Sequence, residues 1–526
     1  MDSSKISGSI SLARVLCLEA RIQRSPQSDT RPGGGLGLHA ITELQRTGVP
    51  STNDSPKYAY TLQQDAKYVF SPCQATVLAL YLDHSLVEEV GEGQRCSVIL
   101  DQTNFYCEQG GQSHDRGYFV RVGHPDVLLP VEDVQTAGGF VIHTVCVLDT
   151  LHLGDRLNLF VDEVQRVACM VKHTATHLLN FALRCVLGDH TEQRGSHITA
   201  QRLRFDVSIK APITKQQLEE VEHIVQDVIR RDEDVYTAEV SLNHVKAIPG
   251  LRTVDEMYPD PVRVVSVGQP VDRLLPSDNK QHTSVELCCG THLLRTGLIQ
   301  DVAIVSERQL GRGISRIIAV TGVEAKEARE AGRVLTEEVD SLSLRLNSGL
   351  KSLADSQRLS KEVGQLMDTV DGVVMLHRER RDLQDRLRAL QRTANTASRK
   401  LETRAAAENV RRFLENRSEQ ALVVDSFPGQ SIAILMKMVN QICDKMPESS
   451  VMLLSQQDSG KVLCACQVAK DLVSSLSAAD WAGAVCARMG GNAGGSDVVA
   501  KGTGSSSNLV EVIKLATDYA RSKMSK

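Results

Sequence analysis

Aromatic side chains are scarce in this 526-residue chain: they make up 4% of it, with nine Tyr, nine Phe and the single tryptophan Trp481. Its cores must therefore be built mainly from aliphatic residues. No apolar run approaches the roughly 20 residues that a bilayer-spanning helix needs. This excludes an integral membrane protein, and no membrane partner is expected. A strong charge of either sign is missing as well. The formal net charge of −5 excludes a uniformly basic nucleic-acid binder while leaving room for local basic faces. Nor is there a disulfide framework, because the 13 cysteines are odd in number and scattered. A reducing compartment suits them, most serving as buried hydrophobes and one as a ligand.

The length calls for several domains, and the patterning predicts an α+β multidomain fold. Residues 1–36 form an unassigned segment. A mildly amphipathic helix fits residues 10–22, but Asp2 and Glu19 are unusual in an organellar leader. The glycine-rich stretch Arg31–Gly37 opens a linker region, 37–57. Over 58–161, short β-rich runs at 77–81, 96–100, 118–122 and 140–147 alternate with Gly and Asp turns, which predicts a small β-barrel.

Residues 165–322 change character. Apolar spacing predicts a helix over 175–187, stopped by Gly188. A second helix opens at the Thr214/Gln217 capping box, with Leu218, Val221, Val225 and Val228 along one face. Strands at 262–267, 302–305 and 314–320 complete an α+β domain.

No proline occurs over 325–417. There the heptad spacing of Leu335, Val339, Leu342 and Leu346, and of Leu383, Leu387, Leu390, Ala394, Ala397 and Leu401, predicts a coiled-coil hairpin of two long helices. The seams can pair within the chain or, through the C-terminal regions, between two copies as a homodimer. Residues 377–412 hold eleven Lys/Arg against five Asp/Glu. That excess, beginning with Arg378, Arg380 and Arg381, is either a solvated helix face or a phosphate-contacting arm. The tail, 421–526, reads as a compact α/β unit. Its dense glycines, Gly490, Gly491, Gly494 and Gly495, form either a turn or a loop that approaches phosphates.

His173-Thr-Ala-Thr-His177 places two imidazoles one helical turn apart on one face. Cys288-Cys-Gly-Thr-His292 adds a thiolate and a third imidazole across a glycine turn. Zinc accepts sulfur and nitrogen together, and His173, His177, Cys288 and His292 complete a shell for one Zn2+ ion. Cys289 is the competing thiol; the four-residue spacing to His292 favours Cys288. A closed shell of four ligands usually marks a structural metal. Against that stand uncharged hydrogen-bonding groups interleaved with the ligands, Thr174, Thr176 and Thr291, and Gln193 beyond the helix. Such groups can read a small hydroxyl or amine and position a water.

These two motifs occur with Asn104-Phe-Tyr-Cys-Glu-Gln-Gly-Gly-Gln112, Asp115, Gly117, Arg202-Leu-Arg-Phe-Asp206 and Tyr258-Pro-Asp-Pro-Val-Arg263. The combination resembles the editing-domain signature of the alanyl-tRNA synthetase family, and the wording of the last motifs is most similar to its mitochondrial members. The resemblance runs from about residue 37 to the end. It implies that 58–161 is the barrel before the editing core and that 165–322 hydrolyses the ester of tRNA(Ala) mischarged with Ser or Gly. It also implies that 325–417 is the helical connector and 421–526 the C-terminal tRNA-binding domain, with Gly490 and Gly491 in its loop. A mitochondrial location follows from the same likeness, with the cytoplasm as alternative.

Within that family a class II aminoacylation domain and a tRNA-recognition helical domain come first, whereas here only residues 38–48, in the 37–57 remnant of the tRNA-recognition region, resemble the end of that portion. The expectation is therefore a chain lacking the class II domain, with no ATP site and no ligase activity of its own. The scissile aminoacyl ester is already activated, so hydrolysis needs a positioned water and charge stabilisation. Thr176 is expected to contact the serine hydroxyl, and Gln193 the ester or the water. Gly110, Gly111, Gln112 and Thr291 are expected along the tRNA 3′ end, a β-turn being the plain reading of the two glycines. Arg204 and Asp206 read as an internal ion pair. A second reading is a zinc-stabilised tRNA-binding module without catalysis, and a third is a truncated form of one of the family's ligases, involved in alanyl-tRNA aminoacylation.

Overall fold

The computed structural model describes residues 36–248, 250–254, 258–274, 283–311, 313–350, 352–415 and 420–525. The amphipathic segment expected at 10–22 lies outside them. The chain divides between Ala328 and Arg329 into two compact units.

In the first unit, α1 (Leu38–Arg46) turns Ala40 and Leu44 onto Ala79, Ile99, Phe140 and Ile142 on the outside of a barrel. The barrel consists of β1 (Cys73–Leu82), β2 (Arg95–Leu100), β3 (Gly117–Arg121), β4 (Leu128–Ala137), β5 (Phe140–Cys146) and β6 (Arg156–Val161). These six pair antiparallel in the order β6-β3-β4-β5-β2-β1, and β6 pairs again with β1, so the sheet closes. Alternation along β1 sends Cys73, Ala75 and Val77 inward, and the lumen is filled by aliphatic residues with Phe105 and Phe119. The expected barrel is thus present. Residues 60–70 are not part of it: they form a separate hairpin whose Tyr68 joins the core of the following domain.

α2 runs Glu163–Leu187, twelve residues longer at its start than the apolar pattern over 175–187 indicated. Asp162 caps it by accepting from Gln165 N, and Gly188 ends it. The early turns were hidden because they bury polar residues, Arg166, Lys172 and His173 among them. β7 (Gln193–Ile198), β8 (Leu203–Ser208), β12 (Val302–Leu310) and β13 (Ile314–Thr321) form an antiparallel sheet in the order β7-β8-β13-β12. α3 (Lys215–Arg231) carries the full capping box at Thr214 and packs its apolar face against α2. A second sheet, β9 (Val235–Val240), β10 (Val262–Val267) and β11 (Val285–Leu287), leads directly into Cys288.

The second unit departs from the expected two-helix hairpin. Among the described residues of 322–415 there are three helices: α4 (Gly322–Asn347), which enters from the first unit, α5 (Leu353–Gly372) and α6 (His377–Glu415). Gly349 at positive φ breaks the first pair, and Ser352 restarts the chain by capping Asp355 N. Leu335, Val339 and Leu342 meet Leu359, Val363 and Leu366 of α5 and Leu383, Leu387 and Ala394 of α6. The seam fades beyond Ala394, where Ala397 and Leu401 are only half-buried, and α6 next buries Ala406 and Val410 against the tail domain. A three-helix cluster with one overhanging helix therefore replaces the continuous coiled coil.

The tail is a five-stranded sheet. It comprises β14 (Leu422–Ser426), β15 (Ser450–Gln456), β16 (Lys461–Gln467), β17 (Asn492–Gly495) and β18 (Val499–Ser505), in the order β14-β15-β16-β18-β17. α7 (Ile432–Lys445), α8 (Ala478–Arg488) and α9 (Leu509–Met524) pack on it, and Trp481 is fully buried with its indole N–H bonded to Ala516 O. Glycine-rich residues 492–495, expected as a loop, are an edge strand. A side chain at Gly491 would strike the Thr503 carbonyl, so glycine there lets the sheet pack closely.

Candidate metal centre and cleft

His173 and His177 project from the same face of α2, and the turn after β11 brings Cys288 and His292 opposite them. One donor atom from each of the four lies within 4.8 Å of every other. His173 Nε2 is 3.3 Å and His292 Nε2 3.4 Å from Cys288 Sγ. Tetrahedral zinc bonds of about 2.0–2.3 Å require ligand atoms roughly 3.5 Å apart, so the set is already spaced for one ion. Gly290 makes this possible, because any side chain there would collide with the His173 ring.

The electrostatics fit a cation as well. Burial, reinforced by the nearby Arg263 guanidinium, pushes the His173 imidazole down to about 3, and burial holds His177 and His292 well below their ordinary value. All three rings thus present neutral lone pairs at physiological pH. Burial pushes the Cys288 thiol up, so only a positive centre would favour its thiolate. His177 Nδ1 is buried and makes no hydrogen bond, which is costly unless something accepts its lone pair or its proton. Cys289 points elsewhere: its sulfur lies 3.9 Å from the Tyr106 hydroxyl, toward the loop that carries Gly110.

Three of the nine tyrosines hold the ligand turn. Tyr58 Oη donates to Cys289 O at 2.5 Å and Tyr60 Oη to His292 O at 2.8 Å, while Leu294 N donates to Tyr68 Oη at 2.8 Å. Arg263 completes the clamp. Its Nη1 donates to Cys288 O (2.8 Å) and Gly290 O (2.9 Å), and its guanidinium stacks 4.2 Å from the centre of the Tyr58 ring. The Tyr258–Arg263 motif contains this arginine, but a role for it was not legible in the sequence. Glu286 was missed entirely. It is buried two residues before Cys288, accepts from Asn180 Nδ2 at 2.9 Å and lies 3.5 Å from His177 Nε2. Burial pushes its carboxyl up to about 8, against the lowering effect of the Asn180 bond.

A cleft of about 900 Å³ opens over these groups. Its walls include His173, His177 and Cys288, the expected Thr176 and Gln193, and the expected Gly110 and Gly111. Thr176 donates its hydroxyl proton to Lys172 O at 2.7 Å, which leaves the oxygen to accept. Gln193, on β7, donates to Ser196 Oγ at 3.2 Å.

Two expected positions are corrected. Gln112 and Thr291, expected along the tRNA 3′ end, are both 0% exposed and bonded to each other behind the ligands. No surface of either faces the cleft. Arg380 is occupied in closing the end of α5, donating to Val370 O (3.2 Å) and Val373 O (2.6 Å). Arg378 is half-buried near it and Arg381 exposed, while Gly490 forms the turn after α8. The expected Arg204–Asp206 ion pair is present at 3.7 Å, and Asp206 also pairs with Arg316 through two 2.8 Å bonds.

Three family models match the chain. One, described as tRNA synthetases class II (A), covers residues 21–165; the Threonyl and Alanyl tRNA synthetase second additional domain covers 262–318; the DHHA1 domain covers 420–522. The first match, to class II sequence over residues 21–165, overturns the expectation of a chain lacking the class II domain. The mitochondrial alanine–tRNA ligase of Homo sapiens is 50% identical over 504 residues, 95% of this chain and 51% of its own length. That of Rattus norvegicus is 49% identical over 95% of this chain and 51% of its own. The cytoplasmic alanine–tRNA ligase of Bombyx mori is 38% identical over 93% of this chain and 52% of its own. The chain thus spans about half the length of these relatives. Both motif halves thus meet in one cleft of a chain that is similar, over nearly its whole length, to about half of each of these alanine–tRNA ligases, with the three models falling in order along it.

Proposed function

We propose that the cleft edits tRNA, hydrolysing the ester of tRNA(Ala) mischarged with serine or glycine, with one zinc ion held by His173, His177, Cys288 and His292. The observation that carries this reading is the placement of Thr176 and Gln193 on the wall beside the ligand set, where a purely structural metal would need neither. Zinc held by these four residues would supply a positive centre at the cleft wall, and its ligands would help keep the 3′-terminal adenosine or the amino acid's amine in register.

The remaining work belongs to side chains. Because the Thr176 hydroxyl proton is spent on Lys172 O, its oxygen accepts from the serine hydroxyl. An alanyl ester offers no donor there and leaves that acceptor unpaired, which favours the seryl ester. Gln193, whose amide N–H is engaged by Ser196, uses its carbonyl oxygen to orient a water toward the ester. Gly110 and Gly111 also line the cleft, where the 3′ end can approach the backbone closely.

The residues from the barrel to β13 then act as the editing part, and the second unit as a tRNA-binding part through the exposed basic residues of α6, among them Arg381. The two mitochondrial relatives support a mitochondrial location; the cytoplasmic relative keeps the cytoplasm as the alternative. The test is deacylation of preformed Ser-tRNA(Ala) by the purified chain, with Ala-tRNA(Ala) as control. Seryl ester should disappear faster than its spontaneous hydrolysis. Binding of tRNA without any such excess would replace an enzyme by a binding module.

A further inference from the structure

Gln112 lies on the excursion between β2 and β3 that leaves the barrel and docks on the neighbouring sheet. Ile198 N donates to Gly111 O at 2.7 Å, and Ser113 N donates to Ile198 O at 2.9 Å. Gly111 has to be glycine there: its φ is +79°, and a side chain would run into Ser196. This anchoring drives Gln112 inward, where nothing on the cleft can reach it.

The orientation of the buried amide is fixed by one donor that cannot reverse. Thr291 N, a backbone N–H, lies 3.2 Å from one terminal atom of Gln112, which must therefore be the oxygen. The amide nitrogen then donates to Thr291 Oγ1 at 2.9 Å. The same oxygen lies 2.8 Å from His173 Nδ1. An amide oxygen only accepts, so Nδ1 carries the proton and the bare lone pair of His173 is on Nε2, the atom 3.3 Å from Cys288 Sγ. Thr174 treats His292 alike. Its hydroxyl proton goes to Met170 O at 2.9 Å, so its oxygen accepts from His292 Nδ1 at 3.3 Å and leaves Nε2 free.

We propose that Gln112 is a positioning residue of the metal centre: through its bond to Nδ1 it sets the tautomer and ring angle of His173, so that the barrel supplies an essential part of a site whose ligands all lie outside it. The claim rests on the metal reading above and deepens it. An outer partner of this kind usually changes metal affinity by about 10–100-fold. It also accounts for burying a glutamine completely, since each of its polar atoms is used.

The test uses the full chain and two variants. Gln112→Met keeps the length of the side chain and removes the acceptor. Gln112→Glu keeps an acceptor for Nδ1. Zinc affinity is read by competition with a chelating dye, and the geometry by the visible spectrum of the Co2+-substituted chain; melting curves verify folding. Gln112→Met should bind zinc at least ten-fold more weakly, with a shifted Co2+ spectrum, and Gln112→Glu should recover most of both. A folded Gln112→Met with unchanged affinity and spectrum would overturn the proposal. Should that variant not fold, Gln112→Glu decides alone: wild-type spectrum and affinity within about three-fold support the role, and a large loss contradicts it. Absence of zinc binding by the unaltered chain would instead sink the metal reading itself.

Discussion

Arg166 and Asp115 meet as an ion pair buried on both sides, tying the first turns of α2 to the loop between β2 and β3. The pair is fully hydrogen-bonded: Arg166 also donates to Lys57 O (3.1 Å) and Asn104 O (2.7 Å), and Asp115 accepts from Tyr106 N at 2.7 Å. It holds the helix that carries His173 and His177 against the loop that carries Gln112.

Breaking one side of this pair leaves a buried charge without its partner. Asp115→Ala is expected to destabilise the first unit by about 3–5 kcal/mol, whereas Asp115→Leu combined with Arg166→Met should recover much of the loss. Denaturant unfolding followed by a probe in this unit checks it. Equal stability of Asp115→Ala and wild type would show that the loop is held by other contacts.

His143 makes the barrel sensitive to acid. It is buried between Phe105 and Phe119, bonded to Thr103 Oγ1 (2.9 Å) and Val98 O (3.2 Å), and burial pushes it down to about 4. Unfolded, it titrates near its ordinary value of about 6.5, so in between the unfolded chain binds the extra proton. Its neutral form costs nothing above that value. Stability is then lost as pH falls from about 6.5 toward 4, by about 3 kcal/mol in all. His143→Gln should flatten the fall of melting temperature over this range; parallel curves for the two proteins would rule out the assignment.

Thr176 tests recognition. Thr176→Val keeps the shape and removes the acceptor, and the preference for seryl over alanyl ester should drop by about ten-fold. The ratio of kcat/KM values for the two esters is the readout. An unchanged ratio moves hydroxyl recognition to another group.

The ligand set was legible because its chemistry is local: two histidines four apart on a helix, and a cysteine and histidine four apart around a glycine. The barrel was legible because aliphatic alternation is a local signal as well. What lay hidden depends on distant chain segments. Gln112 and Thr291 are 179 positions apart, and only folding shows that they bond each other rather than a ligand. Glu286 and Asn180, separated by 106 positions, form a polar contact between a strand and a helix that no local pattern signals. The early turns of α2 were invisible because a helix that buries ion pairs and ligands lacks the apolar stripe by which helices are found. In the tail, β18 was not legible in the sequence, because its Gly502 packs against Cys486 and Ala493 in place of the apolar side chain that marks a strand.

Arg263 should matter to the metal without touching it. Arg263→Met removes two bonds to the ligand turn and the stacking on Tyr58, and zinc affinity is expected to fall about ten-fold by chelator competition. Full affinity in that variant would mean that the three tyrosines suffice to hold the turn.

Metal analysis of the purified chain tests the central claim most directly. The geometry predicts one zinc per wild-type chain, loss of most of it in Cys288→Ala, and full retention in Cys289→Ala, whose thiol faces Tyr106. A chain without zinc, or one that keeps it in Cys288→Ala and loses it in Cys289→Ala, would contradict the account.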